Sequence, residues 1–325
     1  MKFYSFNQLP LHTDDFFFTN LGDLSKRDAI VIFNPPNASV VSPVFLRSKK
    51  SLAEHIDYIA SQKIKKAVIV ANDLDFLPQC PSLEYLWILP AIDTLQFDYS
   101  PIYKLPNIKW LRCETMYGET EQKTTDVDYC HFPNLQMLSL RGPYGHNNVH
   151  HTSKVVSLSC DRGYPNSTDL INVFSGTALK NLSICQSPIR TLNGIEAGSR
   201  IRRVELSYNR RLEDISALRS LKDSLVYLEI DTCGKVKDFS VLSELSKLEF
   251  LILKGSNVLP DLCFLNFLPQ LKCLHLTMDV ADGNTSLCKK IPYAKLKNRK
   301  HFTHTDKEMT KNYIDPEQIV PFHVL

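Results

Sequence analysis

Apolar residues recur along this chain on a beat of three and five. The pattern appears at Leu83-Leu86-Ile88, Ile108-Leu111-Cys113, Leu135-Leu138-Leu140, Val155-Leu158-Cys160 and Leu179-Leu182-Ile184. It continues at Ile201-Val204-Leu206, Leu225-Leu228-Ile230, Leu248-Leu251-Leu253 and Leu271-Leu274-Leu276. Successive units start 20 to 27 residues apart, the spacing at which leucine-rich repeats recur. A tenth, weaker unit lies around Ile64, Ala67 and Ile69. Because strand side chains alternate, each triplet predicts a short strand with its fourth and sixth positions on one face.

The second half of the unit repeats as well. LEDISALRSL (212–221), VKDFSVLSEL (236–245) and LPDLCFLNFL (259–268) superpose without gaps, with Asp214, Asp238 and Asp261 at the third place. Apolar residues fill the first, fourth, seventh and tenth places. An Asp ahead of such a run predicts a cap accepting backbone N–H groups, and the spacing of three suits one helical or 3₁₀ turn. PIRTLNGI (188–195) is a looser copy, with Thr191 in the capping place. Each unit therefore reads as strand, turn and helical return.

On these residues the chain resembles the bacterial leucine-rich repeat, of the internalin-like class and similar to its stand-alone cytoplasmic type. The resemblance covers about residues 80–280. It implies an α/β solenoid: a leucine-rich-repeat horseshoe with a parallel β-sheet on the concave face and short helical or 3₁₀ turns on the convex face. The family's asparagine ladder is mostly missing. Asn209 stands at the ninth place and Cys233 is an accepted substitute, but other units carry Ala91, Met116, Pro143, Gly163, Ser187 and Ser256, with Asn257 one place off. Irregular loops beyond the strands are expected.

A stacked array exposes its ladder at both ends unless capped. Residues 1–63 are expected to form the N-terminal cap, with a helix over KSLAEHIDYIASQKI (50–64) whose stripe is Leu52, Ile56, Ile59 and Ile64. The solenoid is expected over 64–280 and a C-terminal cap or tail over 281–325. KLKNRKHFTHTDKEM (295–309) is similar to the tail that follows the repeats in some bacterial cytoplasmic proteins.

If the ladder points one way, the third, fifth and seventh places point to the other face, and a protein partner is expected there. That face carries Tyr85, Trp87, Trp110, Arg112, Met137 and Arg141 at one end. Toward the other it carries Arg203, Glu205, Tyr227, Glu229, Asp231, Phe250, Ile252, Lys254 and His275. Both tryptophans of the protein belong to the set, and Trp, Tyr and Arg anchor interfaces. Two readings stand for the first end: an exposed aromatic-basic surface, or Trp87 and Trp110 covered by the N-terminal cap. Tyr227 and Phe250 lie far from either cap along the solenoid and are expected to be exposed beside an acidic patch of Glu205, Glu229 and Asp231.

Composition and charge narrow the function classes. With 43% hydrophobic and 22% charged residues the chain is ordinarily globular. A balance of 38 basic to 35 acidic side chains gives little steering toward nucleic acid or anionic lipid. The run Lys289, Lys290, Lys295, Lys297, Arg299, Lys300 reads as a solvated cap surface, not a nucleic-acid site. MKFYSFNQLPLHTDDFFFTN lacks the features of a secretory leader, and no apolar run of about 18 residues predicts a membrane span. Nine scattered cysteines, several inside apolar patterns, point to reduced thiols and a cytoplasmic setting.

Catalytic signals are weak. RGPYGHNNVHH (141–151), with Cys130 and His131 upstream, offers His146, His150 and His151 as zinc donors, but its glycines, proline and asparagines read as a loop. No Walker loop, GxGxxG, HExxH or CxxC occurs. The chain is expected to be no enzyme, with no cofactor, metal, small-molecule substrate or membrane. Its expected work is protein binding, as a bacterial immunity or scaffold protein. Alternatives are an enzyme-recruiting adaptor such as a substrate receptor, with room for a docking segment only in 1–63 or 281–325, and a secreted internalin-like adhesion protein. The missing leader and unpaired cysteines oppose the last.

Overall fold

The computed structural model describes residues 11–13, 16–19, 28–34, 50–91, 94, 96–114, 123–142, 145–174 and 178–321. The chain divides into two compact units, Lys2–Val155 and Val156–Val324.

In the first unit, strands β1 (Leu11–Thr13), β2 (Phe16–Thr19) and β3 (Ala29–Asn34) pair antiparallel. From β3 the sheet runs parallel through β4 (Lys66–Ala71), β5 (Tyr85–Pro90), β6 (Trp110–Glu114) and β7 (Met137–Arg141). Helix α1 (Leu52–Gln62) makes the crossover from β3 to β4. It starts where Ser51 and Glu54 cap each other and stops at Lys63, whose φ of 52° is left-handed. Ile59 of the expected stripe is fully buried, while Leu52, Ile56 and Ile64 are half-buried. His55 is the residue the stripe misses. It is buried edge-on to Phe16, with ring centroids 5.0 Å apart, and burial pushes its pKa down.

The second unit carries β8 (Ser157–Asp161), β9 (Asn181–Cys185), β10 (Arg203–Ser207), β11 (Tyr227–Asp231), β12 (Phe250–Lys254), β13 (Cys273–Leu276) and β14 (Tyr293–Leu296). All pair parallel in sequence order. Their register aligns the ladder: Leu158, Leu182, Val204, Leu228, Leu251 and Leu274 are successive partners, and so are Cys160, Ile184, Leu206, Ile230, Leu253 and Leu276. In the first unit Ala67, Leu86, Leu111 and Leu138 do the same. Every residue of the nine sequence triplets is buried, the most exposed being Leu271 at 8%. At roughly 1.5–3 kcal/mol for each buried Leu or Ile, this ladder is the main cohesive element.

The returns are 3₁₀ helices, Ser216–Leu221, Ser240–Glu244 and Cys263–Phe267. Asp214, Asp238 and Asp261 accept from the backbone N–H two residues on, at 2.7, 2.8 and 2.7 Å. Repeat geometry also fixes the residue after each of β8–β11: Arg162, Gln186, Tyr208 and Thr232 turn the chain with φ of 52°, 54°, 56° and 54°. Gly194 (φ 99°) is a steric requirement, because a Cβ there would strike the backbone of Leu170 and Ile171.

These features make each unit a leucine-rich-repeat solenoid. Strand pairing runs past both limits of the expected repeat region, through β3 on one side and β14 on the other. The ladder beyond the strands works with mixed residues. Buried Asn209 donates to Ile184 O (2.9 Å) and accepts from Ser187 N (2.9 Å). Cys233 Sγ sits 3.6 Å from Leu206 O, and Asn257, despite its offset, donates to Cys233 O (3.1 Å) and Val236 O (2.8 Å). Of the other ladder positions, Met116 and Pro143 lie outside the described residues.

Candidate partner-binding face

In each unit the sheet face opposite the ladder, called here its second face, carries the side chains expected to meet a partner. In the first unit Trp110 (7% exposed) and Met137 (2%) are buried with Phe17, Ala29, Val31 and Val68, while Tyr85, Trp87 and Leu89 pack against this cluster half-buried. Of the two readings for this end, cover by residues of the N-terminal region holds for Trp110, while Trp87 stays half-buried. The sheet continues through β2–β4, and Phe17, Ala29, Val31 and Val68 from those strands enclose Trp110 in a core.

Glu114 organises what remains. Buried at 7%, it accepts from Trp87 Nε1 (2.9 Å), Arg112 Nε (2.7 Å) and Arg141 Nη1 (2.7 Å). The Arg112 guanidinium lies 4.7 Å from the Trp87 ring centroid, a stacking that planar guanidinium favours. Glu114 thus offsets one of the two positive charges of Arg112 and Arg141. Trp87, Arg112 and Arg141 stay half-buried and are held in fixed orientations.

The second unit departs further from expectation. Tyr227 (5%), Phe250 (0%), Ile252 (8%) and Cys273 (6%) form one cluster with Val320 (3%), and Ile314, Ile319 and Tyr293 pack on it. Residues 314–321 lie across the second face of their own unit. Arg203 Nη1 donates to Glu317 Oε1 (2.6 Å) and Val320 O (2.8 Å), and Asn181 Nδ2 donates to Pro321 O (3.1 Å). The exposed Tyr227–Phe250 surface is therefore corrected to a buried one. Its cover comes from more than 60 residues away in sequence (Phe250 to Ile314), beyond what a repeat pattern encodes.

Nor is the acidic patch an open one. Arg203 (6%) lies 4.2 Å from the Tyr227 ring centroid and donates through Nε to Glu205 Oε1 (2.8 Å); Glu205 is 5% exposed. Burial works against the Arg203 charge, but Glu205, Tyr227 and Glu317 outweigh it and its pKa is raised. Burial pushes the Tyr227 hydroxyl far up, so it stays protonated and donates to Glu229 Oε2 (2.8 Å). Glu229 (4%) also accepts from Lys254 Nζ at 2.8 Å, and Lys254 reaches Asp231 at 4.0 Å. Asp231, Lys254 and His275 form a half-buried rim. Burial first, then the charges of Lys254 and Lys295, lowers His275 to about 4, so it is neutral at pH 7.

The histidine-rich segment is more ordered than the sequence implies. His146–Asn147 pairs with Val127–Asp128, and Val149–His151 is a 3₁₀ turn. His146 contacts Tyr129 Oη (3.0 Å) and Arg141 O (3.2 Å). Among the described residues no group of three His, Cys, Asp or Glu is placed to hold a metal ion, and no helix is long and apolar enough to cross a membrane. All nine cysteines are free, and Cys130 and Cys263 are the exposed ones.

Comparison with protein-family models and with curated proteins gave no match. Among solved structures the chain is similar to internalin C2 from Listeria monocytogenes, at 19% identity over 54% of this chain and 79% of that one, with a TM-score of 0.42. It is similar to the functional domain of InlJ from Listeria monocytogenes (17%, 74% and 50%, 0.47). A third is a leucine-rich-repeat protein from Leptospira interrogans (15%, 81% and 85%, 0.40).

Proposed function

We propose that this chain is a non-catalytic protein-binding module that takes its partner on the second face of the repeats. One observation carries the reading: in the second unit that face already holds a peptide segment, residues 314–321, through aromatic packing and charge-assisted hydrogen bonds. Further support comes from its residue types. Trp87, Tyr85, Arg112 and Arg141 in the first unit, and, separately, Asp231, Lys254 and His275 in the second, are aromatic and charged residues of the kinds that interfaces use. A scaffold or partner-neutralising role, as in a bacterial immunity protein, fits this chemistry. Nine free thiols support a reducing compartment such as the cytoplasm.

The test is affinity capture with the full chain, then titration of the captured protein. Trp87→Ala is expected to weaken binding about tenfold or more, the loss typical of an aromatic anchor. Phe267→Ala removes a side chain 58% exposed on a return helix and is expected to leave affinity unchanged. Equal affinity for folded Trp87→Ala, or loss with Phe267→Ala, would contradict the assignment of the face.

A further inference from the structure

Taking the chain as a protein-binding module, we propose that residues 314–321 are a displaceable occupant of the second face of β9–β13. We propose further that this face recognises in a partner a peptide of the same chemistry, a carboxylate followed two and three residues later by β-branched aliphatic side chains.

The site is built like an interface, not like a core. Asn181 and Arg203, which bond the segment, are buried, and so on the same face are Ser183, Glu205 and Glu229, residue types that a permanent core largely excludes. The occupant is held at a few points. Glu317 meets Arg203, Val320 inserts beside Tyr227 and Phe250, and backbone carbonyls of Val320 and Pro321 take bonds from Arg203 and Asn181. Ile319 packs on the same cluster, completing the carboxylate-x-Ile-Val pattern.

Removal is structurally permitted. The leucine ladder lies on the opposite side of the sheet and pairs through β8–β14 without help from residues 314–321. Within the segment, Pro316–Gln318 forms one 3₁₀ turn, and the Glu317 side chain is 47% exposed. Tyr313, just before the segment, is 61% exposed. A tethered occupant competes at an effective concentration of about millimolar, so a free peptide reaches the face only when the tether's own grip is weakened.

The experiment uses the full chain and a fluorescein-labelled synthetic peptide of residues 312–325, followed by anisotropy. The unaltered chain is expected to bind weakly. Glu317→Lys, which removes the pair with Arg203 at a half-exposed position, and Val320→Asp, which expels the apolar anchor, are each expected to bind the peptide about tenfold more tightly or better. A peptide carrying Lys at the position of Glu317 is expected to lose that gain. If folded Glu317→Lys binds no tighter than the unaltered chain, or if Val320→Asp cannot fold, the segment is a fixed part of the structure and the proposal is overturned. Peptide gain without partner capture would sink the binding-module reading and leave the groove. Partner capture that Trp87→Ala abolishes, with no peptide gain, would sink this proposal alone.

Discussion

Leu228→Ala is expected to lower unfolding free energy by about 2–5 kcal/mol, among the largest losses available to a single substitution in this chain. Leu228 is 0% exposed and stands in the ladder between Val204 and Leu251. Truncation removes its burial and leaves a cavity that flanking repeats, pinned by strand pairing, fill only in part. Neighbour contacts carry the stability of repeat arrays, so the damage spreads to β10 and β12. Urea unfolding should show a lower midpoint. Leu89→Ala, on the half-buried second face, should cost clearly less. A Leu228→Ala loss below about 1 kcal/mol, the centre for ordinary substitutions, would place the ladder outside the core.

Asn209→Ala is expected to cost roughly 2–5 kcal/mol, because each stranded buried polar group costs about 1–3 kcal/mol. The side chain is 0% exposed and ties its repeat to the one before, donating to Ile184 O and accepting from Ser187 N. Alanine satisfies neither group, and the site is closed to water. Asn209→Cys should recover part of the loss, since Cys233 occupies the equivalent place one repeat on and reaches Leu206 O. Thermal unfolding of the three proteins gives the order: original most stable, cysteine next, alanine least. Equal stability of Asn209→Ala and the original would remove the polar ladder from the account.

How legible the molecule was in its sequence follows from which interactions are local. The ladder has a fixed spacing, and each register, from Leu86–Leu111 to Leu253–Leu276, follows from it. Asp214, Asp238 and Asp261 cap turns two residues away, so their role was visible too. The array's extension through β3 was hidden because AIVIFN is apolar on both faces and carries no three-and-five beat to the next unit. Exposure on the second face was the least legible property. Periodicity tells which side a residue points to, but not what else arrives there. The alternation places Tyr227 and Phe250 on the second face, where Ile319 and Val320 cover them. The cover is tied down by acidic, apolar IDPEQIV (314–320) meeting Arg203, whose contacts with Glu317 and Val320 span 114 and 117 residues.

Native-state hydrogen exchange on the full chain puts the division between a fixed ladder and a covered second face to its most direct test. Amides of Leu206, Leu228 and Leu251 are predicted to exchange only through global unfolding. Those of Ile319 and Val320, bonded to Pro316 O at 3.1 and 2.8 Å, should exchange about 100-fold faster by local opening. Equal protection of the two groups, or free exchange along β10–β12, would contradict it.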